Sequence, residues 1–255
     1  MRIAFLDSGI GGITVLNEAL KLLPDENYLY FADTLHVPYG TKSMEEVNAC
    51  VKQSVDRIIK EQVKALVIAC NTATSSAITE LRSTYRIPII GMEPAVKPAV
   101  EMNRTTGKRV LVFATELTLK QSKYTDLISR VDDQCIVDSM PLPELVEHCE
   151  ALNFDKKNIQ DFFTTKLAAF DLANYGTIVL GCTHFPFYND ILKEMLPEHI
   201  QVVDGNAGTV KRLSQVLLGT EDIHLGSSSK IEFMCSNNDP EYIKKMKRSL
   251  EILRH

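Results

Sequence analysis

Short apolar runs recurring between longer amphipathic stretches restrict this chain more than any other feature. The runs are Ile3–Leu6, Tyr28–Ala32, Ala65–Cys70, Val110–Ala114, Ile178–Leu180, Val202–Val203 and Ile231–Cys235. Brief, mostly apolar segments of this kind are strands buried on both faces, which helices must then cover. The stretches between them repeat apolar residues at three- and four-residue spacing. Ile13, Leu16, Leu20 and Leu23 precede Pro24, and Val47, Val51, Val55 and Ile58 follow a Ser43/Glu46 capping box. Helices are also expected over Leu117–Ser129, Asp155–Leu172 and Thr209–Leu218, and a last one starts with Asp239 as cap and Pro240 in its first turn. The alternation predicts an α/β fold on parallel sheets.

The pattern restarts near Val110. Between the two series lies Glu93-Pro94-Ala-Val-Lys-Pro98, whose prolines disfavour helix at the residues before them and suit a hinge. Two similar lobes are expected, each a mostly parallel sheet flanked by helices. Residues 1–95 with 205–255 form the first and residues 96–204 the second. An internal echo supports this: Val67-Ile-Ala-Cys70-Asn71-Thr72 resembles Ile178-Val-Leu-Gly-Cys182-Thr183-His184. Each cysteine ends a strand, and ligands collect at the carboxyl ends of parallel strands. Two facing lobes would aim two thiols into one cleft.

Composition removes several alternatives. Lys and Arg (28) against Asp and Glu (33) leave a net charge of −5, without the basic footprint of a nucleic-acid binder. The longest apolar run has six residues, Ala65–Cys70, where a bilayer span needs roughly 20. An acidic residue at position 7 interrupts any secretory leader, so a cytoplasmic protein is expected. Its six cysteines, at 50, 70, 135, 149, 182 and 235, would be free thiols. They form no Cys-x-x-Cys pair, and neither a metal nor a cofactor is expected.

Asp7-Ser8-Gly9-Ile10-Gly11-Gly12 follows a strand and opens a helix, where backbone N–H groups can hold an anion. It is not a dinucleotide fingerprint, because Thr14 stands where the third glycine belongs. A tight structural turn explains the glycines equally well, and Asp7 at the strand end favours a ligand cleft. A lone cysteine is ordinarily a small inert hydrophobe, the reading kept for Cys50, Cys135, Cys149 and Cys235. Cys70 and Cys182 stand apart, since polar residues and a helix start follow each, and such settings favour thiolate. His184, two residues from Cys182, would tune that thiol.

These motifs, with Val37-Pro38-Tyr39-Gly40, Gly91-Met-Glu93-Pro94-Ala, Leu142-Pro143-Glu-Leu-Val-Glu147 and Gly181-Cys182-Thr183-His184-Phe-Pro186, resemble in order and spacing the glutamate racemases of the cofactor-independent aspartate/glutamate racemase superfamily. The resemblance runs nearly end to end. It implies Cys70 and Cys182 as acid/base thiols assisted by Asp7, Glu147 and His184. It also implies that Asp7, Ser8, Tyr39, Gly40, Asn71, Thr72, Thr183 and His184 hold glutamate, and that Cys70 takes the proton of D-glutamate and Cys182 that of the L-enantiomer. A homodimer supplying D-glutamate for cell-wall peptide is the expected setting. The chemistry suits thiols: inverting an α-carbon needs a base on one face and an acid on the other, and a thiol pKa near 8.5 allows both forms.

Two positions depart from the family pattern. His36 stands where Arg is frequent, and Asp204-Gly205-Asn206 where a Ser-Gly pair is common. The rival readings are an aspartate or broad-specificity racemase and a non-catalytic amino-acid sensor. Aspartate racemases usually carry Cys-Asn-Thr-Ala-His and Gly-Cys-Thr-Glu, whereas Thr74 and His184 here follow the glutamate pattern. The basic run Lys244–Arg248 lies on a helix whose Ile243, Met246, Leu250 and Leu253 give it an apolar face, so it is expected to dock with its lysines solvated.

Overall fold

The computed structural model describes residues 1–218 and 229–254. The first half runs β1 (Arg2–Asp7), α1 (Ile13–Leu22), β2 (Tyr28–Ala32), α2 (Met44–Ile59), β3 (Val63–Ile68), α3 (Asn71–Thr84), β4 (Ile89–Gly91) and α4 (Val96–Asn103). It continues through β5 (Arg109–Ala114), α5 (Glu116–Lys120), α6 (Ser122–Val131), β6 (Val137–Pro141), α7 (Pro143–Glu150), α8 (Lys156–Leu167) and β7 (Tyr175–Leu180). Last come α9 (Asn189–Met195), β8 (Gln201–Asp204), α10 (Asn206–Leu217), β9 (Ile231–Cys235) and α11 (Pro240–Ile252). The strands form two sheets, ordered β4-β3-β1-β2-β9 and β6-β5-β7-β8, and every pairing is parallel. The fold is a two-lobed α/β structure, as the alternation predicts.

Both sheets are covered on both faces, which explains the continuous apolar runs. Along β1, Ala4 and Leu6 pack under α2 and α3, while Ile3 and Phe5 face the opposite way into a core that reaches both lobes. Along β5, Val110 and Val112 pack beneath α4 and α6, and Leu111 and Phe113 join the shared core. The strand period of two thus divides each run between an outer core and the common one.

Three local expectations differ. Helix α4 begins at Val96 inside the two-proline segment, because Pro98 sits in the first turn, where its missing N–H is not needed. The helix expected over Leu117–Ser129 is two helices, broken where Gln121 adopts an extended backbone. The helix expected to reach Leu172 ends at Leu167. Among the described residues no helix is long and apolar enough to cross a membrane.

Candidate active site

Both singled-out cysteines lie two residues beyond a strand, Cys70 after β3 and Cys182 after β7. Cys70 caps α3, its Sγ accepting a hydrogen bond from the Ala73 N–H at 3.4 Å. Cys182 leads into a single 3-10 turn, Phe185–Tyr188, ahead of α9. The two thiols line one cavity of about 20 Å³ with Tyr39, Gly40, Thr115, Val146, Thr183 and His184. That volume holds about one water. Burial, and next the neighbouring Asp7 carboxylate, push the Cys70 thiol up.

Asp7 ends β1 and is fully buried, accepting hydrogen bonds from the Gly9 N–H and the Thr183 hydroxyl, both at 3.0 Å. Burial raises its pKa against the opposing charge of His184. His184 turns Nδ1 toward the Cys182 Sγ, at 3.7 Å, and Nε2 toward Glu150 Oε1, at 2.8 Å. Burial disfavours its charge, but its contacts with Cys182 and Glu150 prevail and raise its pKa to about 10. An imidazolium beside sulfur is the partner a thiolate requires.

Glu150 corrects the expectation for Glu147. Helix α7 starts at Pro143 and buries Leu145, Val146 and Cys149. At 100° per residue this phase points Glu147 away from the core into solvent, while Glu150 lies at the edge of the buried face. Glu150 also accepts from the Ile10 N–H at 2.9 Å, the Tyr242 hydroxyl at 2.7 Å and Lys245 Nζ at 2.6 Å. Although burial opposes ionisation, His184 and Lys245 hold its carboxyl below the usual carboxylate range.

The remaining expected residues divide. Tyr39 and Gly40 line the cavity, and the Tyr39 hydroxyl donates to Asp33 Oδ2 at 2.6 Å. His36, the departure from Arg, rests its Nδ1 on the same carboxylate at 2.9 Å. Thr72 lies behind the cavity in a buried cluster of hydroxyls, 2.9 Å from Thr115 and 3.1 Å from Thr118. Ser8 is buried but is not among the residues lining the cavity. Asn71 turns away, its Nδ2 donating to the Met92 carbonyl, and lines a neighbouring cavity with Thr74 and Glu93. Asp204 accepts from the Asn206 N–H at 2.8 Å and so starts α10, a structural use of that departure. The sequence reading missed Glu150, Thr115, Tyr242 and Lys245. The available signal was a second carboxylate three residues after Glu147.

The glycines of the first loop let the lobes meet here. A Cβ on Gly11 would collide with Thr183 and His184 of the opposite lobe. Thr14 also crosses, its hydroxyl donating to the Thr183 carbonyl at 3.1 Å.

Known proteins resemble this chain along most of its length. The model of the Asp/Glu/Hydantoin racemase family matches residues 13–213. The glutamate racemase of Halothermothrix orenii is 49% identical over 254 residues, covering 100% of this chain and 99% of that protein. The crystal structure of a glutamate racemase isoform from Bacillus anthracis superposes with a TM-score of 0.85 at 28% identity, covering 98% of this chain and 94% of the other. The glutamate racemase of Francisella tularensis, solved in complex with D-glutamate, gives 0.83 at 25% identity, with 98% and 93% covered. With a family match across most of its length and relatives this similar end to end, the chain belongs to the Asp/Glu/Hydantoin racemase family.

Proposed function

We propose that this chain is a glutamate racemase that moves the α-proton between two thiols, Cys70 and Cys182, without metal or organic cofactor. The observation carrying this reading is that both sulfurs line one small cavity between the lobes, each at a matching strand end. One thiolate removes the α-proton from one face of glutamate as the opposite thiol delivers a proton to the other face. In one direction Cys182, beside the His184 ring, is the base and Cys70 the donor; in the other the roles exchange. A base fixed on one face reaches the hydrogen of one enantiomer, and the resemblance to glutamate racemases assigns Cys182 to L-glutamate and Cys70 to D-glutamate. Tyr39, Gly40 and Thr183, which line the cavity, hold the carboxylates, the Tyr39 and Thr183 hydroxyls exchanging their Asp33 and Asp7 partners for the substrate, and they stabilise the charge developing on the reacting carboxylate.

The cavity, about 20 Å³, is smaller than glutamate, and parting of the lobes is the movement that enlarges it for exchange. The moving units are residues 1–95 with 205–255 and residues 96–204. The product serves cell-wall peptide in the cytoplasm, and the working assembly is a homodimer.

The test is racemisation of L- and D-glutamate by purified protein with a chelator present, followed by circular dichroism. Cys70→Ser and Cys182→Ser should each abolish it in both directions, because a hydroxyl is a poor base. Each should retain elimination from one enantiomer of an analogue carrying chloride at Cβ, where loss of the α-proton and chloride suffices. Racemisation surviving in either variant, or a requirement for divalent metal, overturns the reading.

A further inference from the structure

Four donors converge on Glu150, and three of them belong to the other lobe. Glu150 closes α7 beside the second sheet, whereas the Ile10 N–H, the Tyr242 hydroxyl and Lys245 Nζ come from elements packed on the first. The fourth donor is His184 Nε2, whose ring meets Cys182 with its other nitrogen. Tyr242 and Lys245 are three residues apart on α11, on one side of the helix, and Met246, Ser249 and Leu250 anchor that helix in the core. Lys245 Nζ also sits 4.5 Å from the centre of the Tyr242 ring, so the two side chains hold each other in place. The lysine expected to be solvated is thus turned inward.

We propose that Tyr242 and Lys245 are positioning residues for racemisation: from the C-terminal helix of one lobe they fix Glu150 of the other, and through Glu150 and His184 they set Cys182. The inference rests on the two-thiol reading and adds a condition to it. Glu150 has two oxygens and His184 needs one of them. The Oε2 side is occupied by Tyr242 and Lys245, which leaves Oε1 aimed at Nε2 and at the Ile10 N–H. Parting of the lobes removes three of the four donors at once, so the support of Cys182 is complete only when the cleft is shut. Among the described residues nothing of α11 reaches Cys70: its Sγ accepts from the Ala73 N–H of its own helix, and that helix meets the other lobe separately, through Thr72 on Thr115 and Thr118.

That asymmetry supplies the test. The equilibrium constant of a racemisation is unity, so kcat/KM falls equally in both directions whichever thiol is impaired, and an irreversible probe is needed. Tyr242→Phe and Lys245→Met keep the ring and the aliphatic stem. The double variant should lose about tenfold to a hundredfold in racemase kcat with KM changed little. Elimination from the chlorinated analogue should slow by a similar factor with the L-enantiomer and stay within about twofold with the D-enantiomer. Lys245→Arg, which keeps the charge, should recover most of the loss. Equal slowing of both eliminations, or unchanged kcat in the double variant, overturns the proposal. Cys70→Ser and Cys182→Ser run alongside separate the two ideas: if either still racemises glutamate, the two-thiol reading has failed independently of α11.

Discussion

Replacing Glu150 by Gln, with Glu147→Gln as its control, tests the site where structure and sequence reading diverge. Glu150 accepts four hydrogen bonds at 2.6 to 2.9 Å, from a backbone N–H, an imidazole, a phenol and an ammonium. A glutamine offers one oxygen and turns an NH₂ toward the other donors, so at least two lose their acceptor. Each stranded donor costs about 1–3 kcal/mol, which places the loss near ~3 kcal/mol. Glu147 is exposed, and its replacement should stay within about 0.5 kcal/mol. The cost should also depend on pH. The Glu150 carboxyl is held below its ordinary 4.5, so its stabilisation is present above that value and fades as pH falls further. The His184 pKa is raised from 6.5 to about 10, so its share is complete below 6.5 and is lost as pH rises through 10. Urea unfolding across pH should therefore show the largest difference between wild type and Glu150→Gln from about 4.5 to 6.5. Racemase kcat should drop about a hundredfold for Glu150→Gln and stay near wild type for Glu147→Gln. A pH-independent difference, or a larger kinetic effect at position 147, would refute the assignment.

Gly11→Ala should retain its fold by far-ultraviolet circular dichroism yet lose most activity, since the added methyl meets Thr183 and His184 of the other lobe. Wild-type kcat in that variant would mean the closed contact is not needed. Thr115→Val removes a shared partner of Thr72 and Thr118 and should cost about 1–2 kcal/mol in denaturant unfolding, with Thr115→Ser close to wild type. Kinetics with both acids should give a kcat/KM for glutamate well above that for aspartate; comparable values would favour the broad-specificity alternative.

The strands near the site were the easiest elements to read, because β1, β3, β5 and β7 are buried on both faces and cannot avoid apolar runs. β6 was invisible for the opposite reason. Val137–Pro141 lies at a sheet edge, mostly half-buried or exposed, and carries Asp138 and Ser139, so nothing in its composition demands a strand. The cysteines were legible because each stands at a topologically fixed place, two residues past a strand. The Glu147 expectation went astray by less than one helical turn: which carboxylate faces inward depends on where α7 begins, and Pro143 after an irregular Leu142 sets that phase. Tyr242 and Lys245 meet a residue more than 90 positions away, and no local pattern on an amphipathic helix separates an inward lysine from a solvated one.

Cys70 and Cys182 are each only 6% exposed. With two thiols exchanging one proton, product leaves a protein whose protonation is the reverse of the one that received substrate: the former base is a thiol and the former acid a thiolate. On the proposed two-thiol mechanism the unliganded protein exists as two isomers, each competent for one enantiomer, and it carries a memory of its last turnover until solvent resets it. Resetting must reach sulfurs sealed beneath the closed lobes, and one isomer places a thiolate at Cys70 beside the Asp7 carboxylate. On that reading, opening of the cleft serves two ends, exchange of glutamate and access of solvent protons to the sulfurs.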